Sequence, residues 1–101
     1  MNIKIIKLLS GEEILAKILP SSENVIAMEN PVRIVVMPNR LDPNKPNVGL
    51  APWAEFSDDK EFVIDKSHVI AIMTPIKQFV DQYNSLFSKI VQAQSGLILP
   101  G

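Results

Sequence analysis

Ile3-Lys-Ile-Ile-Lys-Leu-Leu-Ser-Gly-Glu-Glu-Ile-Leu-Ala-Lys-Ile18 is the stretch whose reading decides the fold. Two apolar, β-branched runs flank Ser10-Gly11, the pattern of a strand, a tight turn and a second strand. Within residues 3–9, Ile3 and Ile5 fall on one face and Ile6 and Leu8 on the other. A strand apolar on both faces is covered on both sides or bends. Residues 13–19 place Ile14, Ala16 and Ile18 on one face and Glu13, Leu15, Lys17 and Leu19 on the other. The expected partner of this hairpin is Asp65 to Thr74, a polar turn feeding the apolar run Val69 to Met73. Together the two stretches point to a small bent β-barrel.

The rest of the chain fits around them. Pro20 to Asn24 reads as a loop. Val25 to Met37 is extended but interrupted at Asn30-Pro31, where proline removes a ladder donor and restricts the residue before it. A bend or bulge is expected there. Pro38 to Gly49, with its prolines and asparagines, reads as a long surface loop. Leu50 to Phe56 is extended, with Pro52 arguing for an edge position or a bulge. Residues 57–60 form a turn, and Glu61 to Ile64 a short strand. The period then changes. Ile76, Phe79, Val80, Tyr83, Leu86, Phe87, Ile90 and Val91 share one helical face. Thr74 as N-cap, Pro75 at the first position and Gly96 as the stop predict a helix over 75–94. The apolar tail Leu97 to Gly101 is expected to fray. The fold class is therefore mostly β in a single domain, a barrel over about 2–73 and one C-terminal amphipathic helix.

Composition narrows the function. At 101 residues and 47% apolar, the chain is one packed domain. A net charge of −1 is not the basic signature of a nucleic-acid binder. Any RNA binding must rest on a local patch or on many copies of a weak one. The absence of cysteine excludes disulfides, thiolate metal sites and a cysteine nucleophile. A single histidine excludes a multi-histidine metal site within one chain. No cofactor is expected. Lys4, Lys7, Glu12 and Glu13 interrupt any signal-peptide core. No run approaches the ~18 apolar residues of a membrane span, so a cytoplasmic protein is expected. No Ser-His-Asp order, carboxylate pair or glycine-rich phosphate loop stands out, so the chain is not expected to be an enzyme.

The order of short strands, early hairpin and central loop resembles the Sm-like (LSm/Hfq-type) family, and looks closest to its phage-type members. The first family motif is matched by Ile5 to Leu9, Gly11, and Ile14, Ala16 and Ile18. The second is matched by Lys66-Ser67-His68-Val69-Ile70-Ala71-Ile72. His68 and Ile70 fall on the histidine and isoleucine of the bacterial Hfq-type turn, and Pro75 on the proline closing that strand. Lys66 and Ser67 stand where that branch has tyrosine and lysine. The helix follows the barrel, whereas the family usually carries one ahead of it. Over residues 3–75 the resemblance implies a bent five-stranded barrel, a closed homo-oligomeric ring and non-catalytic binding of single-stranded RNA. In such a ring Lys66, Ser67 and His68 would line the pore, the lysine on phosphate and the histidine on a base. Asn30 is the second candidate for RNA. Val69, Ile70, Ile72 and Trp53 are the implied subunit-interface residues, because unpaired edge strands need partners.

Each assignment has a plainer counterpart. Lys66 to His68 can be a solvated turn, and Asn30 can simply set a turn before proline. Trp53 and Phe56 can be core or subunit contacts instead of a base-stacking platform. Lys4, Lys7 and Lys17 can be a wet strand face and not a basic stripe. Two other functions stay open: a purely structural or protein-binding ring, and a small-molecule-binding barrel.

Overall fold

β1 (Ile3–Leu8) and β2 (Glu13–Leu19) form the hairpin expected around Ser10-Gly11. Gly11 has φ +95°, a conformation that side chains with a Cβ rarely adopt, which is why glycine stands at that turn. β3 (Val25–Met37) follows, then β4 (Asn47–Pro52), β5 (Glu61–Asp65), β6 (Val69–Met73) and one helix, α1 (Lys77–Gly96). The computed structural model describes residues 2–96, with side-chain surroundings through Phe87. The strands make one antiparallel sheet in the order β4-β3-β2-β1-β6, and β5 also pairs with β3.

Six strands replace the expected five because β4 and β5 share one neighbour. β5 pairs with Val25 to Glu29, and β4 with Val32 to Met37, on either side of a bend in β3. The central loop is shorter than expected, since Asn47 to Gly49 pair with Val35 to Met37. The expected extension of β4 to Phe56 ends at Pro52. Residues 54–57 turn instead, with Ser57 N–H donating to the Ala54 carbonyl at 3.1 Å.

The bend in β3 is a β-bulge. From Leu15 to Lys17, β2 advances two residues, while opposite them β3 advances three, from Val32 back to Glu29. One extra residue moves the side chains that follow to the other face. Ile26 and Met28 point into the barrel with Ile6, Ile14 and Ala16. Beyond the bulge, Val32 and Ile34 lie on the opposite face with Ile3, Ile5 and Leu15. Asn30 takes φ +51° at the bulge, a conformation asparagine tolerates better than most residues. Pro31 has no N–H to leave unpaired.

The second face is covered by α1. Phe79, Val80, Tyr83 and Phe87 pack on Ile3, Leu15, Val32 and their neighbours. The two-faced apolar pattern of β1 therefore serves two cores, one inside the barrel and one under the helix. The helix starts later than expected. Its first accepting carbonyl is that of Ile76, which takes the N–H groups of Phe79 and Val80. Thr74 is not the N-cap; its hydroxyl meets Lys4 Nζ at 3.2 Å. Pro75 lies ahead of the first turn and is buried. Ile76, assigned to the apolar helix face, is 61% exposed. The helix includes Gly96, the expected stop. The side chains of Ile90 and Val91 and the tail 97–101 lie outside the described residues.

Tyr83 joins the two layers. Its hydroxyl accepts from Lys17 N–H at 3.2 Å and donates toward the carbonyls of Glu29 at 2.9 Å and Asn30 at 3.0 Å. These are the backbone groups that the bulge takes out of the ladder. The ring is 3% exposed. Tyr83→Phe leaves them buried and unpaired, so denaturant unfolding is expected to show a loss of about 1–3 kcal/mol. Burial first, helped by the charge of Glu29 and opposed by the Lys17 hydrogen bond, pushes the phenol from 10.0 up to about 12. A raised value means the stabilisation is intact below pH 10.0 and is lost as pH rises through about 12. Tyr83 is the chain's one tyrosine, so tyrosinate absorbance during a pH titration reads it directly. A midpoint at 10.0 in the folded protein contradicts this arrangement.

Candidate nucleic-acid interface

Asp65-Lys66-Ser67-His68 carries the chain from β5 to β6 in a single 3-10 turn, Lys66–His68. An aspartate followed two residues later by serine suits this geometry, because a short carboxylate can accept from a backbone N–H two positions on. Here Asp65 Oδ1 accepts from Ser67 N–H at 2.9 Å. The Ser67 bonds, backbone first and hydroxyl second, hold the Asp65 carboxyl below its ordinary 3.8, and the charge of His68 adds to this. Two backbone bonds fix the turn from outside. Lys66 N–H donates to the Asn24 carbonyl, and Leu9 N–H to the His68 carbonyl, both at 2.9 Å. The main chain is thereby held, while the side chains of Lys66, Ser67 and His68 are all exposed.

The Leu9 bond sets the β1–β2 turn beside this one. Between them is an open depression of about 500 Å³ lined by Leu8, Leu9, Ser10, Ile64, Asp65 and His68. An apolar floor with His68 at one side can take a flat ring, with Lys66 on the adjoining exposed turn. Leu9, Ser10 and Asp65 were not among the expected site residues. The Asp-x-Ser spacing was a readable sign of the capped turn. Nothing in the local sequence places Leu9 against His68.

The other expected residues lie elsewhere. Asn30 sits at the Glu61 end of the β3–β5 ladder, whereas Lys66 leaves its Asp65 end. Within one chain the two are not brought together. Asn30 N–H donates to the Lys60 carbonyl at 2.7 Å, and its own carbonyl meets Tyr83. Trp53 packs on the barrel core, edge-on to Phe62 with centroids 5.5 Å apart. Val69 packs inward, while Ile70 and Ile72 are 58% and 49% exposed. Among the described residues β6 pairs only with β1, and no strand lies beside its other edge. The candidate basic stripe is engaged locally. Lys7 faces Glu13 at 3.7 Å, Lys17 faces Glu29 at 3.5 Å, and Lys4 meets Thr74.

Among the described residues no group of three or more His, Asp or Glu could hold a metal, and no helix is long and apolar enough to cross a membrane. The family model described as Sm_like domain matches residues 5–84. No curated protein matches the chain.

The Asp65 cap predicts a local acid transition. A depressed carboxyl contributes above its ordinary 3.8 and ceases to as pH falls through its lowered value. The amide resonance of Ser67 is expected to titrate with a midpoint below 3.8. Asp65→Ala is expected to speed hydrogen exchange at Ser67 while the barrel amides keep their protection.

Proposed function

Because the chain belongs to the Sm-like family, we propose that it assembles as a closed homo-oligomeric ring and binds single-stranded RNA at the Lys66-Ser67-His68 turn. The observation that carries this reading is the pairing pattern. β5 and β6 are each five residues long, each is paired on one edge only, and they are joined by the exposed turn. Among the described residues β4 too is paired on one edge only, and such edges on a small barrel are a liability unless copies join edge to edge. A head-to-tail contact of this kind closes into a ring when its rotation closes. Exposed Ile70 and Ile72 on β6 and Val63 on β5 supply apolar area for the contact.

The ring also answers the charge problem. One turn with one lysine and one histidine is a weak site on a chain of net charge −1. Repeated around a pore, it acts on a single strand many times, and effective concentration replaces intrinsic affinity. Lysine serves the phosphates, and the imidazole serves base edges or faces. No catalytic role is part of this reading. Lys7 and Lys17 are paired locally with glutamates, whereas Lys66 stands on the exposed turn.

Native mass spectrometry without nuclease treatment is expected to give a multiple of 11.2 kDa plus mass that nuclease removes. A clean multiple supports a structural or protein-binding ring instead, and a monomer overturns the ring. Replacing Lys66 and His68 by alanine is expected to weaken oligonucleotide binding about tenfold or more, with the ring mass unchanged. Ile72→Lys is expected to yield a folded chain that no longer assembles. Affinity should fall steeply with salt, by a slope of about −0.7 per phosphate neutralised.

A further inference from the structure

β4 ends at Pro52 and β5 begins at Glu61, and the residues between leave the sheet. Behind this break is a cavity of about 400 Å³, whose apolar lining includes Trp53, Phe62 and Phe87 and whose polar lining includes Glu55, Asp59 and Lys60, with Ala54 also lining it. Mostly apolar concavities of this size are sites of contact. Another part of the same chain is its chemical counterpart. Ile76 is 61% exposed at the start of a helix whose other apolar residues Phe79, Val80 and Tyr83 cover the sheet. In its own chain it cannot reach the cavity. Eleven helical residues separate it from Phe87, roughly 16 Å at the helical rise.

The strand edges say how it could reach the cavity of another copy. Every pairing in this sheet is antiparallel. Continuing that pattern, β6 of one copy lies antiparallel along β5 of the next. Val69 then falls near Asp65, and Met73 near Glu61. The chain beyond Met73 runs past Glu61 over residues 53–60, and three residues of extended chain span roughly 10 Å. That length delivers Ile76 to the mouth of the cavity. Charge agrees with this direction. Residues 53–60 carry Glu55, Asp58 and Asp59 against one lysine, Lys60. The arriving corner carries Lys4, held against Thr74 at 3.2 Å, and Lys77, which Asp81 partners at 2.7 Å, together with the positive end of α1.

We propose that the cavity at the β4–β5 break is a socket for Ile76 of the neighbouring copy, a second contact that locks the strand-to-strand joint. This rests on the ring reading above. Phe56, in the turn between the two strands and 99% exposed, lies within the segment that this approach crosses.

The chain has no cysteine, so introduced thiols report without background. The double variant Ala54→Cys, Ile76→Cys is expected to give, on mild oxidation, a ladder of dimers, trimers and higher species. Each single variant gives no ladder. An assembled ring that yields no ladder overturns the socket and leaves the ring standing. Cross-linked dimers alone mean a twofold contact and also overturn it. A double variant that is monomeric by native mass, like the unaltered chain, overturns both readings. In parallel, Ile76→Asp is expected to raise the concentration at which the ring dissociates at least about tenfold. An unchanged dissociation concentration speaks against the socket.

Discussion

The hydroxyl of Tyr83 is the constraint on which the rest of this structure depends. The bulge in β3 removes a donor on β2 and carbonyls on β3 from the ladder, in a half-buried place under the helix. Such groups are costly to leave unpaired. One phenol, accepting from Lys17 and donating toward Glu29 and Asn30, satisfies them. The same side chain brings the helix down on the sheet, where its ring stacks beside Phe87 with centroids 4.7 Å apart. Bulge and helix are therefore not independent features. Without the helix the bulge is unsatisfied, and without the bulge Val32 and Ile34 have no reason to face the helix.

That change of face determines the architecture. β3 contributes Ile26 and Met28 to the barrel interior and, past Asn30, Val32 and Ile34 to the layer under α1. A single long strand thus builds both cores. It also gives β4 and β5 separate stretches to pair with, which opens the break between them. The turn at residues 66–68 then links β5 to β6 and fixes where the unpaired edges of these two strands stand. The candidate RNA site and the candidate socket lie at opposite ends of β5. The proposed assembly and the proposed ligand binding would both be carried by one short strand.

Much of the candidate site was readable beforehand. The polar turn at Lys66-Ser67-His68 between two short apolar runs is a local pattern, and the structure leaves its side chains exposed. Asn30 was readable as a break and could not be read as a bulge filled by a tyrosine more than fifty residues away. Trp53 was readable as a core or subunit-contact residue, and it packs on Phe62 and the barrel core. Lysines 4, 7 and 17 were readable as a wet strand face more than as a stripe, and two of their partners are cross-strand glutamates set by register.

The sequence by itself determined the β-hairpin at Gly11, the interruption at Asn30-Pro31, the polar turn before Val69 and the amphipathic C-terminal helix. All four follow from local backbone restrictions or from periodicity within a single element. Only the tertiary structure decided which way the two faces of β1 point, that β4 and β5 are separate strands on one neighbour, and that Thr74 does not cap the helix. It also decided that the hydroxyl of Tyr83 closes the bulge. Each of those depends on register and on contacts between residues distant in the chain, and neither is written in any one segment.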